Sequence, residues 1–482
     1  MNRARHNEES KPGRSVMKGT KRCKALALIL TALLLMASFS ACQSTPSAGP
    51  TEPIDVNGTT EPIDVSGTPG AAEPSVQPSD PSKIPGQWAE NISANPVSKI
   101  NSTMDVSSFD ERFLAFVSEH AEGNYMASPL SFRYALGLLL AGANGETKAE
   151  LLKAFGVGSE EEWNEYCLDF NGFSERYASG LEQAIREHEE WVKKGYISKD
   201  APAPYRALRV ANSVWKADWV TEDFKDAYRE AIEKYYAAEY RSFTPADAVA
   251  KINEWADIKT EHMIPKLLPE DYPTESLAVV LMNALYFKDN WAKEFPKWRT
   301  KEDDFHTLAG GTTRKEFMTT EEHFSYYEDD ETQLVILPMD GGVYMAFVLG
   351  STDGLSEKIS KAGGEQVLVT IPKIDLETDF SNGEFVDFLK ANGVNLAFTD
   401  AADFSNMIDH DLYVSDIIQK TRIKLDEKGV EAAAVTAIMK PESAMPPEEG
   451  PKTFVADRPF SFYIYTTAND TTAIMFAGQI VE

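Results

Sequence analysis

Glu427-Lys428-Gly429-Val430-Glu431-Ala432-Ala433-Ala434-Val435-Thr436-Ala437 is the stretch on which the fold turns. Alanine is the strongest helix former, so a short helix between Gly429 and Pro441 is one reading. Against it, the run has no polar face and no Ser, Thr, Asn or Asp capping its start. Alternation offers another: Val430, Ala432, Ala434, Thr436 and Ile438 would all face one side of a sheet. The next stretch, to Pro447, lacks a period and is broken by Pro441, Pro446 and Pro447, so it reads as an exposed loop. For the alanine run both strand and loop stay open.

Working outward, the chain has 482 residues, 43% of them hydrophobic, enough for a sizeable core. Its net charge is −29, and residues 1–42 carry eight Lys/Arg against two Glu, leaving −35 for the remainder. So acidic a surface repels nucleic acid and anionic membranes and needs no partner beyond solvent. The cysteines are Cys23, Cys42 and Cys167. Two lie in the leader, so the folded part cannot form an internal disulfide, and Cys167 reads as a buried structural thiol.

Lys18, Lys21, Arg22 and Lys24 precede an apolar run from Ala25 to Ala37, then Ser38-Phe39-Ser40-Ala41-Cys42. That order predicts an export signal over residues 1–41, and Met17 is a second candidate start. The apolar run is short for a membrane span. Small residues before a cysteine resemble a bacterial lipoprotein cleavage site, which implies acylation of Cys42; simple secretion is the alternative. Residues 42–103 are rich in Pro, Ser, Thr and Gly and repeat Thr51-Glu52-Pro53-Ile54-Asp55-Val56 as Thr60-Glu61-Pro62-Ile63-Asp64-Val65. Such a composition buries too little apolar surface to offset ordering entropy, and it predicts a disordered tether.

Residues 104–482 read as one large domain. Phe109, Phe113, Phe116 and Val117 have helical spacing behind Ser107 and Ser108, and a second helix is predicted from Pro129 to Leu140. Leu334–Leu337 and Tyr344–Leu349 flank Asp340-Gly341-Gly342 as a hairpin. Val367–Ile371, Ile417–Leu425, Phe460–Tyr465 and Ala473–Ile480 also read as strands. Helices mainly early and strands mainly late predict an α+β fold.

Catalytic patterns do not emerge. Gly-x-Ser-x-Gly, Gly-x-x-x-x-Gly-Lys and His-Glu-x-x-His are all missing. His120, His188, His262, His306, His323 and His410 have no metal-ligand spacing. Pairs such as Asp303-Asp304 and Asp329-Asp330 read as solvated surface. No enzyme, metal or cofactor is expected.

Several fragments, in order, resemble the serpin family. They are Asn124-Tyr125-Met126-Ala127-Ser128-Pro129-Leu130-Ser131 with Gly142-Ala143-Asn144-Gly145-Glu146-Thr147, and Leu281-Met282-Asn283-Ala284-Leu285-Tyr286-Phe287-Lys288 with Trp291 and Phe295. Further on come Ala397-Phe398-Thr399-Asp400-Ala401-Ala402-Asp403-Phe404-Ser405, Leu412-Tyr413-Val414-Ser415, Asp457-Arg458-Pro459-Phe460 and Phe476-Ala477-Gly478. Glu427 to Ala437 is similar to the family's proximal hinge. The resemblance implies helices around three β-sheets, an exposed reactive-centre loop, and a suicide-substrate inhibitor of serine proteases. There the cleaved loop enters the main sheet and traps the acyl-enzyme; the alternative is a non-inhibitory binding or carrier protein.

On this resemblance the hinge comprises Glu427, Gly429, Val430, Glu431, Ala432, Ala433 and Ala434. Insertion buries alternate side chains, and Val430 is uncharged where a buried charge would oppose entry. No proline interrupts Gly429 to Lys440, although Lys440 has inward parity. Counting from the hinge glycine gives a reactive bond at Ser443-Ala444, with Glu442-Ser443 as alternative. A small residue before the bond implies a subtilisin-like or elastase-like serine protease; Lys440 before Pro441 disfavours trypsin. Ser128, Ser131, Asn283, Trp291 and Gln419 match the shutter and breach beneath the opening sheet, with Gln419 where the family usually has histidine. The chain is expected to be a monomer at the bacterial cell surface or outside the cell, touching the membrane only through lipid on Cys42.

Overall fold

The computed structural model describes residues 108–199, 203–275, 277–380, 383–430, 450–468 and 471–482. The leader, Cys42, the tether, Glu431, Ala432, Ala433, Ala434 and the reactive-bond residues Glu442, Ser443 and Ala444 lie outside them. The helices are α1 (Ser108–His120), α2 (Pro129–Gly142), α3 (Gly145–Phe155), α4 (Glu160–Lys193), α5 (Asp226–Tyr236), α6 (Ala248–Lys259), α7 (Leu355–Lys361) and α8 (Glu384–Ala391). The strands are β1 (Tyr125–Ala127), β2 (Ala207–Ala217), β3 (Ala238–Phe243), β4 (Val279–Asn290), β5 (Lys301–His306), β6 (Thr312–Glu328), β7 (Thr332–Pro338) and β8 (Val343–Gly350). They continue as β9 (Gly363–Pro372), β10 (Ile374–Phe380), β11 (Val414–Asp426), β12 (Gly429–Val430), β13 (Lys452–Val455), β14 (Phe460–Ala468) and β15 (Thr471–Ile480).

Local signals account for several boundaries. In α1, Phe109, Phe113 and Val117 are buried on one stripe. Ser128 caps α2 by accepting from the Ser131 N–H at 3.1 Å, and Pro129, which has no N–H to satisfy, opens the first turn. The whole of α2 is buried, which matches its apolar sequence on every side. Interleaving of β2 and β3 with α5 and α6 departs from the helices-first reading, because β2 and β3 join a sheet that later strands complete.

The strands form a nine-stranded sheet ordered β1-β15-β14-β8-β7-β6-β9-β13, with β5 on β6, and a six-stranded sheet ordered β10-β11-β12-β4-β2-β3. Three expected sheets thus appear as two hydrogen-bonded networks. The 17-residue β6 carries β5 and β9 along much of its length and β7 at Ser325–Glu328, joining what would otherwise be separate sheets.

Both faces of the six-stranded sheet are covered. Val279, Leu281, Leu285 and Phe287 of β4 and Ile417, Ile423 and Leu425 of β11 enter the main core with α2. The alternate residues Val280, Met282, Ala284 and Ile418 pack under Ile252 and Trp255 of α6. This two-sided burial explains why β4 reads as a continuous apolar run. Cys167 is a free, buried thiol in α4, and burial pushes its pKa up to about 12, away from nucleophilic use.

Candidate functional site: the β4–β11 seam and the hinge

The parallel strands β4 and β11 relate differently along their length. At one end they pair directly, with Ile417 opposite Leu281 and Gln419 opposite Asn283. At the other, β12 lies between them and pairs antiparallel with both: Val430 opposite Leu425 and Asp289, Gly429 opposite Asp426 and Asn290. One interposed strand sets the two edges about 10 Å apart, twice the ordinary spacing. Between these ends, Ala284–Lys288 and Lys420–Lys424 form no ladder with each other among the described residues.

Entry of β12 depends on Gly429. Its φ is +147°, and a Cβ there would lie 2.2 Å from the Asp289 carbonyl oxygen. Val430 follows, 2% exposed and part of the main core, so the set of even positions in this segment starts inward.

Charged groups anchor this end. The Glu427 carboxylate accepts from Thr300 Oγ1 at 2.8 Å and pairs with Lys373 Nζ at 3.1 Å. Burial opposes its charge, yet hydrogen bonds from its own backbone, Thr300 and Lys373 outweigh burial and hold the carboxyl below its ordinary range. Trp291 Nε1 donates to the Asp426 carbonyl at 3.1 Å, while the Trp291 and Phe295 amides donate to Lys428 O and Glu427 O, each at 2.7 Å. Lys428 is buried with no hydrogen-bond partner for Nζ among the described residues; burial, then repulsion from Lys297, lowers its pKa. Buried Asp289, under β12, accepts from the Gly341 and Asn290 amides at 2.9 Å. Burial, reinforced by nearby Asp340, outweighs these bonds and raises its pKa to about 6.

Around Gln419 the directly paired end is held by neutral side chains; further along, the half-buried Asp416 of β11, in register with Val280, accepts from Tyr272 Oη at 2.7 Å. Gln419 accepts from the Ser128 amide at 3.1 Å and donates to the Ser128 carbonyl at 3.2 Å, tying β11 to the start of α2. Ser128 Oγ donates to Met475 O at 2.6 Å, and Thr421 Oγ1 to Met126 O at 2.7 Å. Asn283 turns instead toward β2, donating to Asn212 Oδ1, while Asn212 donates to Tyr236 O at 2.6 Å. Ser131 Oγ and Asn283 Oδ1 are buried without a hydrogen-bond partner among the described residues. So Ser128 and Gln419 bond directly, Asn283 faces away, and Trp291 belongs to the hinge end.

Sequence reasoning missed Asn212, Thr300, Lys373, Thr421 and Asp289. Each acts through a partner far along the chain, and none carries a local pattern. Among the described residues no group of three or more His, Cys, Asp or Glu is arranged to hold a metal, and no helix is long and apolar enough to cross a membrane.

Comparison with known proteins agrees with this architecture. A serine protease inhibitor of Cyanea capillata is 29% identical over 396 residues, covering 77% of this chain and 95% of the relative. A putative serpin-Z5 of Oryza sativa is 30% identical over 410 residues, covering 75% and 85%. Among solved structures, Serpin48 of Tenebrio molitor superposes with a TM-score of 0.60 at 27% identity, covering 79% of this chain and 99% of that one. The thermophilic serpin tengpin in its native state gives 0.61 at 27%, covering 78% and 92%. The family profile described as serpin, serine protease inhibitor, matches residues 108–482, and the chain belongs to the serpin family.

Proposed function

We propose that this chain inhibits serine proteases as a suicide substrate, with a cleaved loop entering between β4 and β11 and trapping the acyl-enzyme. The observation that carries the reading is the interposed β12: the first two residues of the inserting segment already form strand pairs with both neighbours. Continuing that register would set Ala432 opposite Phe287 and Ile423, Ala434 opposite Leu285 and Thr421, and Thr436 opposite Asn283 and Gln419. Ile438 would meet Leu281 and Ile417. All of these inward residues are uncharged, as burial requires. Lys440 would come opposite Val279 at the far end, where its long stem can carry the ammonium toward water.

The reactive bond is Ser443-Ala444, or Glu442-Ser443, and the target is a subtilisin-like or elastase-like protease. The protein works as a monomer at the bacterial surface, tethered by residues 42–103 to lipid on Cys42. Incubation with subtilisin and with pancreatic elastase, followed by denaturing gels, tests inhibition. Persistent covalent complexes are expected, with a released C-terminal peptide whose mass identifies the cleaved bond. Cleavage that leaves the protease fully active and the thermal midpoint unchanged would sink the reading in favour of a binding or carrier protein. Cys42→Ser is expected to move the protein from membranes to the soluble fraction; unchanged fractionation refutes the anchor.

A further inference from the structure

Asp289 is 1% exposed and is the strand partner of Val430, the buried residue of the interposed β12. Its carboxyl oxygens accept from the Asn290 and Gly341 amides, each at 2.9 Å, and among the described residues it forms no ion pair. The β7–β8 turn brings the Gly341 amide in so closely that a Cβ at Gly341 would overlap the Tyr177 ring. From α4, buried Tyr177 sets its hydroxyl 3.2 Å from Lys288 O and within reach of the Asp289 carboxylate, so one hydroxyl proton serves two acceptors. Arg206, ahead of β2, directs its donors elsewhere: to Tyr177 O at 3.0 Å and Asp340 O at 3.3 Å, with its guanidinium 4.6 Å from the Tyr177 ring centroid. Lys288 carries its ammonium over the Tyr205 ring, 4.5 Å from the centroid. Asp340 adds like charge from the β7–β8 turn, with Glu294 in its field. From β12 the facing residue is the apolar Val430.

A carboxyl so placed loses its hydration and gains no cation, so the closed hinge favours its protonated form. Water reaches it when β12 parts from β4, and it then ionises as an ordinary carboxylate. We propose that Asp289 is a proton switch on the hinge: protonated while β12 is seated, ionised when the hinge end opens, and tuned by Tyr177, whose hydroxyl favours the ionised form. Opening therefore releases one proton to solvent. The closed carboxyl titrates at about 6 against an ordinary 3.8. Its support for the closed hinge is full below pH 3.8 and is lost as pH rises through 6. With these values, opening rises about tenfold between pH 5 and pH 7.5. The consequence, faster loop capture at neutral pH than in acid, rests on the inhibitory reading above.

The test follows amide hydrogen exchange of the full chain by mass spectrometry from pH 5 to pH 7.5, each rate divided by the intrinsic rate at that pH. In wild type the hinge segment 285–291 is expected to open about tenfold more at pH 7.5, while buried α2 stays level. Asp289→Asn has no titrating group and is expected to open equally at both ends of the range. Tyr177→Phe is expected to move the midpoint of the rise to higher pH, whereas a merely structural loss would raise opening equally at every pH. A level wild-type hinge overturns the proposal, as does an undiminished rise in Asp289→Asn or an equal rise in α2; an unmoved midpoint removes Tyr177 from it. If Asp289→Asn does not fold, the wild-type profile and the Tyr177→Phe midpoint decide. Trapping is read apart, as the wild-type rate over the Asp289→Asn rate with subtilisin at each pH, so that the protease's own profile cancels. That ratio is expected to rise with pH, and a flat ratio overturns the consequence for loop capture. Exchange needs no protease, so failure of trapping and failure of the switch are distinguished.

Discussion

The two ends of the β4–β11 seam are closed by different means. At the Asn283–Gln419 end the strands pair directly, and neutral hydrogen bonds from Gln419 to Ser128 tie β11 to buried α2. At the hinge end a two-residue strand sits between them, anchored by ionised Glu427 and flanked by buried Lys428 and Asp289. Direct backbone ladders lined by apolar side chains open only together. A wedge held by a few charged contacts opens locally, and its strength depends on substitution, salt and pH. This contrast predicts that the sheet yields first at the hinge.

Val430→Arg offers the harshest challenge to that contrast. An unpaired charge at the first inward position opposes burial by several kcal/mol. Titration of active protease should show at least about tenfold more serpin consumed per protease trapped; unchanged stoichiometry would remove the hinge from the mechanism.

Glu427→Lys comes next. It places two cations together and removes the Thr300 acceptor, and loss of a largely buried pair costs about 3 kcal/mol. The thermal midpoint should fall by several degrees. Equal stability would show that the charged anchor does not hold the wedge.

Asp289→Asn sharpens the pH side. A carboxyl whose pKa rises from 3.8 to about 6 on folding contributes stability fully below pH 3.8, and that contribution is lost as pH rises through 6. At about 1.4 kcal/mol per unit the swing is on the order of 3 kcal/mol. Urea midpoints from pH 4.5 to 7.5 should decline less steeply with pH in the variant; parallel curves would discount Asp289.

Gln419→Ala is the smallest change, at about 1–2 kcal/mol for neutral hydrogen bonds lost between buried groups. Its effect should be the same at pH 5 and pH 7.5, in contrast to the hinge end, and a pH-dependent loss would dissolve the distinction.

Much of the fold was legible in the sequence where the signal is local. The Phe109–Val117 stripe, the Ser128–Pro129 helix start and the hairpin around Gly341 all follow from neighbours within a few residues. The first strands of the six-stranded sheet were harder. β2 is buried on both faces for much of its length, so it lacks clean alternation, and its partner β4 lies far along the chain. Lys373 shows the same difficulty at the site: nothing near Pro372 announces a cation that will meet Glu427.

By itself the sequence determined the family, through the resemblance of its ordered motifs, and the uncharged character of the inward hinge positions, which its period expresses directly. Only the tertiary structure decided that β12 pairs with both β4 and β11, that Asn283 turns to Asn212 instead of Gln419, and that Asp289 lies buried beneath the hinge. Apart from the β11–β12 pairing, which joins residues three to five positions apart, these are contacts between residues tens to well over a hundred positions apart. Packing selects among many sterically allowed partners there, and no local propensity encodes the choice.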